Sequence, residues 1–246
     1  MKLKILGSGS KGNCYLLQGK NETLILEAGI KYKDILKGLN FNLNNIVGCL
    51  VSHEHKDHSK AMRDILKSGI DTYTSLGTAK AMPQESYIET CYRLNFIKSE
   101  KQFNVGNFTI LPFQTQHDAA EPLGFLIQHK ELGKLLFITD SYYCQYKFTG
   151  LNHILIECNY SNEILQKREL PQRLKDRIVK SHFELGNVKE FLKATDLKEI
   201  KEIVLIHLSD NNSNELQFKK EIEILSGKPT YVADKDLDID MNVYKF

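Results

Sequence analysis

The sequence lacks any apolar run near the roughly 20 residues that a membrane-spanning helix needs, so no membrane partner is expected. Its opening, Met1-Lys2-Leu3-Lys4-Ile5-Leu6-Gly7, is too short an apolar stretch for a signal peptide. Cys-x-x-Cys pairs are missing as well. The five cysteines, Cys14, Cys49, Cys91, Cys144 and Cys158, are scattered and odd in number. Cys14, Cys49 and Cys158 lie in or beside apolar runs and read as reduced core thiols, which fits a cytoplasmic protein without structural disulfides. No proline-rich linker, low-complexity tract or abrupt change of composition divides the chain. Residues 1–246 are therefore read as one domain, long enough to bury a large core. A strong charge imbalance is also lacking: 33 Lys and Arg against 31 Asp and Glu give a net +2, so any affinity for nucleic acid must come from a local patch.

What is present is a succession of short strands and helices. Strands are expected at Leu3–Leu6, Tyr15–Leu17, Leu24–Leu26 and Ile46–Val51, with a helix over Tyr32–Leu39. Ser59–Ser68 has helical spacing and stops at Gly69. Further strands are expected at Asp71–Thr74, Phe108–Leu111, Gly124–Gln128, Leu135–Ile138, Ile154–Glu157, Ile203–Leu208, Pro229–Val232 and Leu237–Val243. Helices are expected over 161–179, 186–194 and 214–225. The pattern suits two sheets with helices on their outer faces.

Residues 53 to 58 read His-Glu-His-Lys-Asp-His at the exit of the Ile46–Val51 strand. Three imidazoles and a carboxylate crowded into six residues are electrostatically awkward unless a cation sits among them. Three more ligand-type residues follow strands: His117 after the run ending Pro112-Phe113, Asp140 after Leu135–Thr139, and His207 after Ile203–Ile206. Singly, His117 could cap a turn, Asp140 a helix, and His207 could be a half-buried ring bonded to a carbonyl. Jointly they match a metal site borne on strand ends. His129 and His153 lack this setting and are assigned to the surface.

His182 stands in Ser181-His182-Phe183-Glu184-Leu185-Gly186-Asn187, after the cations Arg173, Lys175, Arg177 and Lys180. It reads either as a solvated helix end or as a phosphate-binding or proton-donating imidazole. The loop Gly7-Ser8-Gly9-Ser10-Lys11-Gly12-Asn13 is either a tight turn or a set of N–H donors for an anion, without P-loop spacing. Asp234, Asp236, Asp238 and Asp240 alternate with Leu237, Ile239 and Met241, and read as an amphipathic strand rather than an EF-hand.

With His53, His55, Asp57, His58, His117, Asp140 and His207 in this order, the chain resembles the metallo-β-lactamase superfamily. The resemblance implies an α+β fold, a four-layer αββα sandwich with a dinuclear site at one edge. Within it the chain is similar to the YycJ/WalJ branch, on the stretches Gly7–Asn13, His117–Phe125, Ser181–Asn187 and His207-Leu208-Ser209. That branch implies a DNA-processing phosphodiesterase, an exonuclease that uses two divalent ions, zinc or manganese, and a metal-bridged hydroxide. By the same resemblance, His53, His55 and His117 bind one ion, Asp57, His58 and His207 the other, and Asp140 bridges them. Asp57 also orients the nucleophile, His182 contacts the phosphate or protonates the leaving oxygen, and Ser10 and Asn13 help shape the substrate site. One departure is Glu27, which stands where the superfamily usually has an aspartate that orients a metal-binding histidine from behind. Two alternatives remain: a phosphodiesterase for cyclic mononucleotides or other small phosphoesters, and a non-catalytic metal-binding module, for which Glu27 is the support.

Overall fold

The computed structural model describes residues 1–82 and 92–244, so Cys91 lies outside the described residues. One sheet contains β1 (Lys2–Gly7), β2 (Cys14–Gln18), β3 (Thr23–Leu26), β4 (Ile46–Leu50), β5 (Thr72–Ser75) and β6 (Leu94–Ile97), with β14 (Asp238–Asp240) added beside β1. The other contains β7 (Phe103–Val105), β8 (Phe108–Gln114), β9 (Leu123–His129), β10 (Gly133–Ile138), β11 (His153–Glu157), β12 (Glu202–Ile206) and β13 (Thr230–Val232). Both sheets change from antiparallel to parallel pairing partway across. The parallel sets are β3-β4-β5-β6 and β10-β11-β12-β13. Carboxyl ends of parallel strands are where such sheets place their ligand-binding residues.

Alternation along the strands builds the layers. Leu24 and Leu26 face the other sheet while Ile25 faces outward; Leu135 and Phe137 face inward while Leu136 and Ile138 face outward. The inner faces share one core that includes Tyr15, Leu50, Phe108, Phe125 and Ile206. Helices α1 (Tyr32–Gly38), α2 (Lys56–Ser59), α3 (Met62–Lys67) and α4 (Leu76–Ala81) follow strands of the first sheet, and Ile35, Met62 and Ile65 cover its outer face. Helices α5 (Asn162–Lys167), α6 (Gln172–Ser181), α7 (Leu185–Lys193) and α8 (Glu215–Ser226) follow strands of the second, which Val188, Leu192, Phe218 and Ile222 cover. The result is the αββα sandwich that the resemblance implies.

Several expectations need correction. The helix expected over 161–179 is two, α5 and α6, because Pro171 disfavours helical backbone before it and opens α6 as its N-cap. Ser59–Ser68 is likewise divided between α2 and α3. β6, β7 and α4 are too short to announce themselves by periodicity. At the C-terminal end, the alternation foreseen for the acidic string holds along β14 and one residue beyond: buried Ile239 and Met241 alternate with exposed Asp238 and Asp240.

His129 and His153 are not on the surface. Both are buried, each beside a carboxylate supplied by a distant strand or turn. His153 Nδ1 lies 2.9 Å from Glu202 Oε1. His129 Nε2 lies 3.1 Å from Glu22 Oε1, and Glu22 also accepts Asn107 Nδ2 at 2.7 Å and Asn107 N at 2.9 Å. Glu22→Ala leaves those donors unpaired, which costs about 1–3 kcal/mol. Urea unfolding is expected to show that loss as a lower midpoint at unchanged slope. A midpoint equal to that of the unsubstituted protein would remove this bracing role.

Candidate metal centre

Three of the residues that close on the site occupy a backbone region that side chains rarely adopt. Glu27, one residue after β3, has φ 66°; Asp140, two after β10, has φ 36°; His207, one after β12, has φ 52°. Left-handed backbone at residues other than glycine costs about 1–3 kcal/mol each and persists only where the surroundings impose it. The turn at His207 is also why β12 ends at Ile206 instead of running on to Leu208. Each strand is thereby broken sharply at the edge of the sandwich, and its last side chain is turned over the site.

The imidazoles converge there. His55 Nδ1 is 3.1 Å from His53 Nε2 and 3.1 Å from His117 Nε2. The outward nitrogens of two rings are held: His117 Nδ1 donates to Ser181 O at 2.7 Å, and His53 Nδ1 is 2.9 Å from Ser52 Oγ. A hydrogen bond on the far nitrogen fixes which nitrogen offers its lone pair inward. Asp140 divides its carboxylate between two sets of rings. Its Oδ2 lies 3.8 Å from His53 Nε2 and 3.5 Å from His117 Nε2, while its Oδ1 lies 3.4 Å from His58 Nε2 and 2.6 Å from His207 Nδ1. Asp57 Oδ2 faces the second set, 3.5 Å from His58 Nε2 and 3.3 Å from His207 Nε2.

Electrostatics follow from burial. It pushes the pKa of His53 well down and that of His117 down, so both rings favour the neutral, lone-pair-bearing form. Burial opposes ionisation of Asp140 too, but charge on His207 and His58 outweighs it and holds the carboxyl well below the usual carboxylate range. Burial raises Glu27, and the neighbouring His58 only partly offsets this. Glu27 reaches His58 from behind, with Oε2 3.3 Å from Nδ1, and its Oε1 accepts Ser52 N at 3.2 Å. The longer side chain still meets the histidine that an aspartate would orient.

Asn13 is placed differently from the expectation. It is fully buried, so it does not face a substrate. Its Nδ2 donates to Gly9 O and Asp57 O, both at 3.2 Å, and its Oδ1 accepts Gly9 N at 2.8 Å. Its backbone N–H donates to Asp57 O at 2.8 Å, and Gly12 N to Gly9 O at 2.9 Å. The Gly7–Asn13 loop therefore turns these donors inward and braces the His53–His58 segment instead of offering them to an anion. The packing leaves no room at Gly29, where a Cβ would meet Asp57 O at 1.6 Å. Ser10 remains exposed and lines the cleft over the site.

Glu157 is the residue that sequence reasoning missed. It closes β11 fully buried, and its Oε1 is 2.6 Å from His182 Nδ1 and 3.2 Å from His207 Nδ1. Its Oε2 accepts Ser141 N at 2.9 Å and Phe183 N at 3.1 Å. Burial works against protonating His182, yet the charge and hydrogen bond of Glu157 outweigh it and raise the ring's pKa. The signal was present: an acidic residue ending an otherwise apolar strand, the same mark that singled out Asp140. The cleft has a volume of about 300 Å³, and its walls include Arg177, His182, Ser209 and Asn212.

These residues fit a bound cation. Two groups of donor atoms, His53-His55-His117-Asp140 and Asp57-His58-Asp140-His207, each lie within 4.8 Å of one another, and Asp140-Glu157-His182-His207 forms a third. His207 Nε2 is buried and makes no hydrogen bond. Buried carboxylates and imidazoles crowded this closely, with a buried ring nitrogen left without a hydrogen bond, are what a divalent ion resolves.

Comparison with known proteins agrees with this geometry. A family model described as a beta-lactamase superfamily domain matches residues 36–208. The exodeoxyribonuclease YycJ of Bacillus anthracis is 31% identical over 241 residues, covering 93% of this chain and 90% of the relative. The exodeoxyribonuclease WalJ of Streptococcus pneumoniae is 29% identical over 256 residues, covering 99% and 93%. Among solved structures, the metallo-beta-lactamase fold protein YhfI from Bacillus subtilis superposes with a TM-score of 0.69 at 16% identity, covering 97% of this chain and 98% of that one. That likeness shows the fold. The chain belongs to the metallo-β-lactamase superfamily, within its YycJ/WalJ-like branch, and is a metal-dependent hydrolase.

Proposed function

We propose that the chain is a dinuclear nuclease that cleaves phosphodiester bonds of DNA as an exonuclease. The observation that carries the reading is the divided carboxylate of Asp140, one oxygen toward His53 and His117 and the other toward His58 and His207. His53, His55 and His117 would hold one ion, Asp57, His58 and His207 the second, with Asp140 shared. Mixed nitrogen and oxygen donors suit zinc or manganese. Two such ions, when bound, supply Lewis acidity at the phosphoryl oxygens and lower the pKa of water at the site. Asp57, 25% exposed in its side chain, orients the attacking water, and Ser10 and Arg177 on the cleft wall bind the phosphate. His182, held by Glu157, donates a proton to the departing oxygen. The names of the YycJ and WalJ relatives support DNA as the substrate. Among the described residues no helix is long and apolar enough to cross a membrane, and Cys14, Cys49, Cys144 and Cys158 are free, which supports a reducing, cytoplasmic setting.

The test offers end-labelled linear DNA to protein loaded with zinc or with manganese, beside a cyclic mononucleotide. Shortening of labelled DNA, with a larger kcat/KM than for the cyclic nucleotide, is expected. No cleavage with either metal, at an occupancy verified by elemental analysis, overturns the nuclease reading.

A further inference from the structure

The segment that follows Asp140 carries two tyrosines outward: Tyr142 is 40% exposed and Tyr143 57%. The backbone beneath them is pinned. Tyr142 N donates to Gln116 O at 3.0 Å, Ser141 Oγ to Tyr143 O at 2.6 Å, and Asn187 Nδ2 to Tyr142 O at 3.3 Å. Exposed aromatic rings on a fixed backbone give contact area at little entropic cost. Behind Tyr143 lies a cavity of about 230 Å³ between residues 143–147 and α7. Its walls combine Tyr143, Tyr146 and Phe191 with the polar side chains of Gln145, Lys147 and Asn187 and with Glu190, whose carboxylate is paired with Lys193 at 2.7 Å. The ring of Tyr146 packs edge-on against Phe113 at 5.5 Å, and its hydroxyl donates to Glu100 at 3.4 Å, so this wall is set before anything binds. The volume lies below the roughly 300 Å³ at which sites for drug-sized ligands begin. It suits one planar ring system.

Position links the cavity to the metal centre. Phe183, next in sequence to His182, lines the cavity and donates its N–H to Glu157 at 3.1 Å. Before His182, Arg177 and Ile178 of α6 line the metal cleft. His182 thus stands in the chain between a cation-bearing helix and a ring-sized cavity.

We propose that this cavity is a nucleobase subsite. One base of the substrate strand, unstacked from its neighbours, inserts against Tyr143 while the scissile phosphate lies in the metal cleft. The aromatic faces take any base, and the amide of Gln145 meets its polar edge. The inference rests on the nuclease reading and narrows it: the strand is single-stranded, or frayed, where it is cut.

The experiment uses single-stranded oligonucleotides in which an abasic site is moved one position at a time, with the metal-loaded full chain. At one fixed offset from the cut, the abasic site lowers kcat/KM about tenfold. Tyr143→Ala lowers cleavage of the intact strand by a similar factor and makes the protein indifferent to the abasic site, while Tyr143→Phe keeps the original pattern. In a second measurement, which needs no cleavage, 2-aminopurine is moved one position at a time along the strand; at one position it changes its fluorescence on binding to metal-free protein but not to metal-free Tyr143→Ala. If intact DNA is cleaved and abasic sites are tolerated everywhere, or Tyr143→Ala slows intact and abasic strands equally, the subsite is refuted. If no DNA is cleaved at all, the nuclease reading falls instead, and the fluorescence measurement still decides the subsite.

Discussion

Asp140→Asn is expected to lower turnover of any phosphodiester by about 10³-fold or more, with bound metal falling from two ions per chain toward one. The substitution keeps the shape of the side chain and removes its charge. Each oxygen of Asp140 now faces a different set of histidines, so the loss is felt by both. Metal ions contribute several kcal/mol to stabilising a phosphoryl-transfer transition state. At about 1.4 kcal/mol per tenfold, losing one of them gives a deficit of this size. Asparagine also tolerates left-handed backbone, so the φ of 36° at this position does not prevent folding. Kinetics on bis(p-nitrophenyl) phosphate together with elemental analysis check the expectation. Activity within tenfold of the unsubstituted protein, at full metal content, would show that no shared carboxylate is needed.

The second large effect is expected at His182 and depends on the leaving group. His182→Ala should slow DNA cleavage by about 10²- to 10⁴-fold, the usual contribution of a positioned general acid. The same variant should lose far less on bis(p-nitrophenyl) phosphate, because p-nitrophenolate departs without a proton. Glu157→Gln keeps the contact with His182 but removes the charge that favours its protonated form, and should cost about 10- to 100-fold on DNA. An equal loss on both substrates would assign His182 to holding the phosphate. Unchanged turnover on DNA would remove it from the mechanism.

The site was legible wherever a ligand-type residue followed a conspicuous apolar strand. His53 to His58 crowd into one turn, and His117, Asp140 and His207 each end a run whose burial could be read from its side chains. Glu157 carries the same mark, but it falls inside the strand expected at Ile154–Glu157, and nothing along the chain shows that its carboxylate meets His182 and His207. The family resemblance assigns Asn13 to the substrate site, yet the donors of its loop point into the protein. That direction depends on where Asp57 O and Gly29 lie, which spacing along the chain does not encode. His129 and His153 are the same case. Their partners are Glu22 and Glu202, and a buried imidazole cannot be told from an exposed one until the partner's strand is placed. The layers of the fold were readable from the order of continuous apolar strands, buried on both faces, and the helical segments between them, whereas the break at Pro171 and the short strands β6 and β7 were lost where too few residues carry a pattern.

Both principal donor groups draw residues from both sheets: His53, His55, Asp57 and His58 follow β4 of one, while His117, Asp140 and His207 follow strands of the other. An ion bound there is also a tether between the two halves of the sandwich. Each tenfold rise in free ion above its dissociation constant adds about 1.4 kcal/mol per site to the folded state. In a cell short of metal the protein would thus lose persistence as well as activity: chains without ions open more often, proteases reach them, and abundance falls with supply.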